Sequence, residues 1–114
     1  MEHWLRKNRT LMRVSCGLLL CFLVQPVLGE IVNIEVVGAI DPVQAEFIKG
    51  AVEHAEEVEA EFLLIRLSTP GGLGISMQEI VQAILNSEVP VVCFVAPPGS
   101  HAASAGFFIL LAAD

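Results

Sequence analysis

A chain of 114 residues with a formal charge of −7 has room for one small domain, and its first thirty residues do not read as part of it. Four of the six Lys and Arg precede residue 30, which leaves Lys49 and Arg66 against twelve carboxylates in the remainder. So acidic a domain repels phosphate backbones, which excludes nucleic acid as a partner.

Arg6, Lys7, Arg9 and Arg13 open the chain, and the apolar run from Val14 to Val24 leads into Gln25-Pro26-Val27-Leu28-Gly29. A basic start, an apolar centre and small residues at Val27 and Gly29 make residues 1–29 a signal peptide cut before Glu30. The run is shorter than the roughly 20 residues that cross a bilayer, which disfavours an uncleaved anchor. Cys16 and Cys21 fall in this leader as apolar filler. Cleavage therefore leaves Cys93 alone, with neither a disulfide nor a cysteine metal cluster in the exported part.

Glu30 to Val37 alternates and is rich in Ile and Val, so it reads as the first strand. Asp41 is a good N-cap, Pro42 suits the first helical position, and Gln44 stands where a capping-box partner reaches back. A helix follows to about Glu59, with Ala45, Phe47, Ile48, Ala51, Val52, Ala55 and Val58 at helical spacing. Gly50 inside it points to close packing, and the glutamates of the run Glu53–Glu61 make a solvated face. Phe62 to Leu67 is almost continuously apolar, as in a strand buried on both faces of a parallel sheet. Arg66 interrupts it and is expected to pair with a carboxylate at the strand's edge. Next comes Thr69-Pro70-Gly71-Gly72, a sharp turn whose glycines permit positive φ and outward N–H groups.

Ser76 to Asn86 is a second amphipathic helix, with Met77, Ile80, Val81, Ile84 and Leu85 facing inward. Val91 to Val95 forms the third strand, holding Cys93 as a small buried hydrophobe, and Ala96-Pro97-Pro98-Gly99 breaks it. Ala102 to Ala113 is a third helix, apolar but for Ser104 and therefore expected to be buried. The order β-α-β-α-β-α implies an α/β fold, a parallel sheet wound by right-handed crossovers. Ligands of such sheets gather at the carboxyl ends of the strands, where both glycine turns lie.

Ser104 stands among Ala102, Ala103, Ala105 and Gly106, small neighbours that let a substrate carbonyl come close to its hydroxyl. Free N–H groups at the start of the helix favour negative charge beside it. The plainer reading is a small-residue helix packed tightly on a sheet, and the second turn at Gly71-Gly72 is what weighs against it. Ser100 is the runner-up nucleophile. His101 is three residues from Ser104, a spacing that rarely gives the linear bond a Ser–His pair needs. His54 reads as a surface residue, and no His, Cys or carboxylate set has metal-ligand spacing, so neither metal nor cofactor is expected.

Strand-Ser68-Thr69-Pro70-Gly71-Gly72, helix, strand-Pro97-Pro98-Gly99 and Ala102-Ala103-Ser104-Ala105-Gly106 together resemble the amino-terminal half of the NfeD-type membrane-bound serine proteases. These stomatin operon partner proteins belong to the ClpP and crotonase superfamily. The resemblance covers residues 30–114 and implies a ClpP/crotonase-like ββα superhelix, here its amino-terminal portion. It implies a Ser–Lys endopeptidase outside the cytoplasm, membrane-associated through a carboxyl-terminal region and dimeric as a whole domain. Its substrate would be a hydrophobic peptide or a stomatin-like membrane protein. By position Ser104 matches the nucleophile, the Gly71-Gly72 turn matches the segment giving oxyanion and substrate-backbone contacts, and Ala105 N–H is the second donor. The base lysine would lie beyond Asp114, because Lys7 is in the leader and Lys49 is on the first helix. Ser68 departs from the acidic or amide residue common before Thr-Pro-Gly-Gly, which touches local turn contacts rather than the nucleophile.

Two rival functions stand beside the protease. One is a non-catalytic fragment or paralogue that binds a membrane-protein partner. The other is crotonase-type chemistry on acyl-CoA, which Ser104 and the leader disfavour.

Overall fold

The computed structural model describes residues 29–114, so the signal peptide expected over residues 1–29 lies, but for Gly29, outside them. The β-branched and apolar runs form strands β1 (Ile31–Val37), β2 (Phe62–Ser68) and β3 (Val91–Val95). The helical repeats form α1 (Pro42–Glu57), α2 (Gly74–Asn86) and α3 (Ala105–Ala112). All strand pairings are parallel and the order is β1-β2-β3, with Ile34 opposite Ile65 and Ile65 opposite Cys93. Strands that follow one another in both sequence and space place the two crossover helices, α1 and α2, on one face of the sheet, where α3 packs against α2.

Val36, Leu63, Ile65, Leu67 and Val91 share one face of the sheet and close against Ala45, Ile48, Ala55, Ile80, Ile84 and Ile109 of the helices. This is the core. The opposite face carries Leu64 and Phe62, only half-buried, and the exposed Ile31, Val37, Val92 and Phe94. The expectation that β2 is buried on both faces therefore fails among the described residues. Arg66 does pair with a carboxylate, Glu35 at 3.9 Å, but from mid-strand on this open face and not from an edge.

Asp41 caps α1 as expected, its Oδ1 accepting the Gln44 N–H at 2.8 Å. That helix stops at Glu57, earlier than the periodicity suggests, and Glu59 follows with φ +50° while Ala60 N–H closes on Ala55 O at 2.8 Å. A left-handed residue at this point is a common helix stop, more often glycine. Gly50 faces open space rather than a close neighbour. On α2, Ile80 and Ile84 are buried and Met77 and Val81 partly so, whereas Leu85 points out.

The third helix departs furthest from expectation. It begins at Ala105, not Ala102, and buries only Ala105, Gly106 and Ile109, leaving Phe107 at 53%, Phe108 at 52% and Leu111 at 65% exposure. A helix apolar all round carries no periodic signal of which side faces inward.

Candidate active site

Each strand ends in a turn at the carboxyl edge of the sheet, and backbone bonds stitch the three turns together. Between the first two, Gly38 N–H donates to Ser68 O at 2.9 Å, Ile40 N–H to Gly71 O at 2.9 Å and Leu73 N–H to Ile40 O at 2.8 Å. The last two bonds make a parallel bridge between Ile40 and Gly72. Between the second and third turns, Thr69 N–H donates to His101 O at 2.8 Å and Ala103 N–H to Thr69 O at 3.1 Å, bridging Thr69 to Ala102. Gly71-Gly72 and Ser104 are thus brought to one edge, as the topology predicts.

They also touch. A β-carbon on Gly71 would lie 2.9 Å from Ser104 Cβ and 3.4 Å from its Oγ, so only glycine leaves space for the serine, and Gly71 has the positive φ of +117° read from the turn. Gly71 N–H is not free, because it donates to Thr69 Oγ1 at 3.1 Å. Gly72 differs: the bridge to Ile40 uses Gly71 O and Leu73 N–H, so the N–H and C=O of Gly72 face away from Ile40. Of the two glycines, Gly72 offers the unpaired amide among the described residues.

Ser104 sits immediately before α3 with φ +52° and ψ −113°, a combination an L-residue rarely adopts. Holding it there costs on the order of 1–3 kcal/mol, and such costs concentrate where function needs a side chain lifted clear of its surroundings. Ser104 is exposed, and its hydroxyl has no hydrogen-bond partner among the described residues. Ala105, the first residue of the helix, keeps its N–H unpaired among the same residues, at the positive end of the helix dipole. The arrangement holds one exposed hydroxyl and two free amides around the meeting point of two turns. Such a set suits attack on a carbonyl whose oxygen gains charge.

The other candidates separate from this set. His101 contributes its carbonyl to the turn bridge, its ring making no hydrogen bond to Ser104. Ser100 donates its N–H to Pro97 O at 3.0 Å within the loop before the bridge. Lys49 lies on α1, bonded to Glu46 at 2.7 Å with Glu79 of α2 at 3.8 Å. The bond to Glu46 raises its pKa, which keeps it a cation rather than a base. Cys93 is only partly buried, packed against the core rather than within it as expected, and that burial pushes its thiol up to about 11. Among the described residues no group of three or more His, Cys, Asp or Glu is placed to hold a metal, and no helix is long and apolar enough to cross a membrane. Two participants were not legible in sequence, Ile40 and Thr69. Thr69 carries a signal in hindsight, since a Thr two residues before a glycine invites a hydroxyl-to-amide turn.

The fold is that of the ClpP class. ClpP1 from Listeria monocytogenes superposes with a TM-score of 0.66 at 23% identity, over 72% of this chain and 46% of that one, which is a likeness of fold alone. The chain belongs to the family described as NfeD1b, N-terminal domain, which matches residues 30–114. It is 40% identical over 96 residues to the membrane-bound protease PH1510 of Pyrococcus horikoshii, covering 82% of this chain and 22% of that protein. It is 34% identical over 70 residues to the membrane protein NfeD1b of Bacillus subtilis, covering 61% of this chain and 15% of that one. Among solved structures, the 1510-N membrane-bound stomatin-specific protease, as a lysine-to-alanine variant in complex with a substrate peptide, gives a TM-score of 0.74 at 36% identity. That match covers 76% of this chain and 40% of that one. A serine-to-alanine variant of the same protease gives 0.73 at 35% identity, over 75% and 41%. The chain thus spans less than half the length of the relatives it matches, and those relatives are membrane proteins.

Proposed function

We propose that this chain is the amino-terminal portion of an exported, membrane-associated serine endopeptidase of Ser–Lys type, which cuts hydrophobic segments of a stomatin-like partner. Ser104 is the nucleophile. Its Oγ attacks the scissile carbonyl carbon while a lysine from elsewhere in the protein takes the hydroxyl proton, and the amides of Gly72 and Ala105 face the oxygen as it becomes negative. Collapse of that intermediate releases the amine, protonated by the same lysine, and water then hydrolyses the acyl-serine. Gly71 holds the space for the hydroxyl and helps fix the backbone against which an extended substrate lies.

The single observation that carries this reading is the contact of Gly71 with a strained, exposed Ser104, each followed in the chain by a residue, Gly72 and Ala105, whose amide is unpaired among the described residues. The solved relatives support it: a 1510-N protease is specific for a stomatin homolog, and another form of it holds a substrate peptide. The test is cleavage of a hydrophobic peptide from the carboxyl terminus of a stomatin-like protein by the full-length protein. Ser104→Ala removes one oxygen from an alanine-lined turn, so folding should change by no more than about 1 kcal/mol while cleavage falls by about 10³-fold or more. Undiminished cleavage by Ser104→Ala excludes this mechanism. Tight binding of the peptide with no cleavage by the wild type favours the non-catalytic binder instead.

A further inference from the structure

Thr69 is the first residue past β2 and is wholly buried. A buried hydroxyl is costly unless it is bonded, and this one is bonded twice to a single residue. Its Oγ1 accepts the Gly71 N–H at 3.1 Å and donates to the Gly71 C=O at 3.1 Å. The same carbonyl also accepts Ile40 N–H at 2.9 Å. Both peptide groups of Gly71 are therefore held in place, and with them the direction in which the next amide, Gly72 N–H, points.

Every other part of Thr69 reaches towards Ser104. Its N–H and C=O hold His101 and Ala103, the residues leading into the serine. Its methyl faces Gly106 so closely that a β-carbon there would lie 2.4 Å from Cγ2, which seats the first turn of α3 on the threonine. A β-branched side chain has little freedom at χ1, so methyl and hydroxyl cannot be re-aimed independently. One rigid residue thus meets the glycine turn, the serine turn and the start of the helix that carries the Ala105 amide.

From these contacts we infer that Thr69 is a positioning residue, a latch that sets the Gly72 and Ala105 amides and the Ser104 hydroxyl in register. By engaging the Gly71 N–H it also selects Gly72 as the amide left for substrate. The inference rests on the protease reading for its catalytic consequence, but not for the latch itself.

Two variants of the full-length protein separate hydroxyl from packing. Thr69→Val keeps the methyl and loses the hydroxyl, whereas Thr69→Ser keeps the hydroxyl and loses the methyl. The measurements are peptide cleavage, the rate at which a fluorophosphonate labels Ser104, and hydrogen exchange of the Gly71 amide. Misplacement of a reacting group by about 1 Å costs on the order of 100-fold, so Thr69→Val should lower kcat and labelling by roughly 10- to 100-fold. KM should move little, Gly71 exchange should quicken, and β2 amides should keep their protection. Thr69→Ser keeps the bonds to Gly71 and gives up the methyl that seats α3, so it should lose clearly less than Thr69→Val in both rates and leave Gly71 exchange close to wild type. Wild-type labelling in Thr69→Val, or equal losses in both variants, overturns the latch. If the wild type neither cleaves nor labels, the protease reading fails by itself, and Gly71 exchange then decides the latch: faster in Thr69→Val supports it, unchanged overturns it.

Discussion

Gly72 leaves no room for a side chain: a β-carbon would lie 2.1 Å from Ile40 O and 2.5 Å from Ile40 N. Both atoms belong to backbone already fixed by the bridge, so nothing flexible can yield. Gly72→Ala should therefore destabilise the fold by about 3 kcal/mol or more, read from the shift of the urea midpoint. A variant as stable as wild type would mean that Ile40 and Gly72 are not bridged. Cys93 makes the opposite kind of residue, one that chemistry should pass over. Burial raises its pKa from 9.0 to about 11, so between those values the unfolded chain has lost a proton that the folded chain retains. The stability this contributes is complete below pH 9 and lost as pH rises towards 11. Iodoacetamide should accordingly modify folded Cys93 slowly at pH 8, and quickly once the chain is unfolded in urea. Rapid alkylation of the folded protein at pH 8 would show that packing against the core does not shield the thiol.

At the scale of elements, α1 carries a correctable weakness. Gly50 lies inside the helix with no atom within 4 Å of where its β-carbon would be, so it neither packs closely nor turns the chain. Gly50→Ala should stabilise the protein by about 1 kcal/mol and raise Tm by several degrees, measured by thermal melting. A fall in Tm would show that this face of α1 is covered by something the described residues do not include. The element order itself was legible because the repeats are clean: period two in β1, period 3.6 in α1 and α2, and Gly or Pro between. Depth was not legible. The run Phe62–Leu67 reads the same whether one face of the strand is covered or two, and α3 offers eight almost uniformly apolar residues with no polar side to orient them. The site was half legible for a similar reason. Ser104 and the glycine turn stand out by their small neighbours, whereas the positive φ of Ser104 has no sequence signal and the bridge from Thr69 to Ala102 that brings the two turns together joins residues far apart in sequence.

For the whole molecule, the uncovered apolar surface sets the expected behaviour. One part is the open face of the sheet, with Leu64, Val92 and Phe94 around Arg66 and Glu35. Another is the far side of the helix layer, where Met77, Val81, Leu85, Phe108, Leu111 and Ala112 line a groove of about 250 Å³. Phe107 stands beside it, edge-on to Phe108 with ring centroids 6.0 Å apart. Apolar patches this extensive drive association in water, and the outer edge of β3 past Val91, whose own N–H and C=O are taken by Asp114, adds backbone groups that another chain can engage. Mutual repulsion of the acidic chains opposes this only at long range, and salt screens it. Residues 29–114 alone should therefore self-associate at concentrations on the order of 100 μM, more so as salt is raised, in sedimentation velocity. Phe107→Glu with Leu111→Glu places charge on the helix surface without touching Ile109 or the core, so it should shift the population towards monomer while the circular dichroism stays unchanged. If that double variant associates as strongly as the parent, the sheet face is the adhesive surface. A parent chain that remains monomeric at this concentration and melts cooperatively would show that neither surface is sticky enough to need a partner.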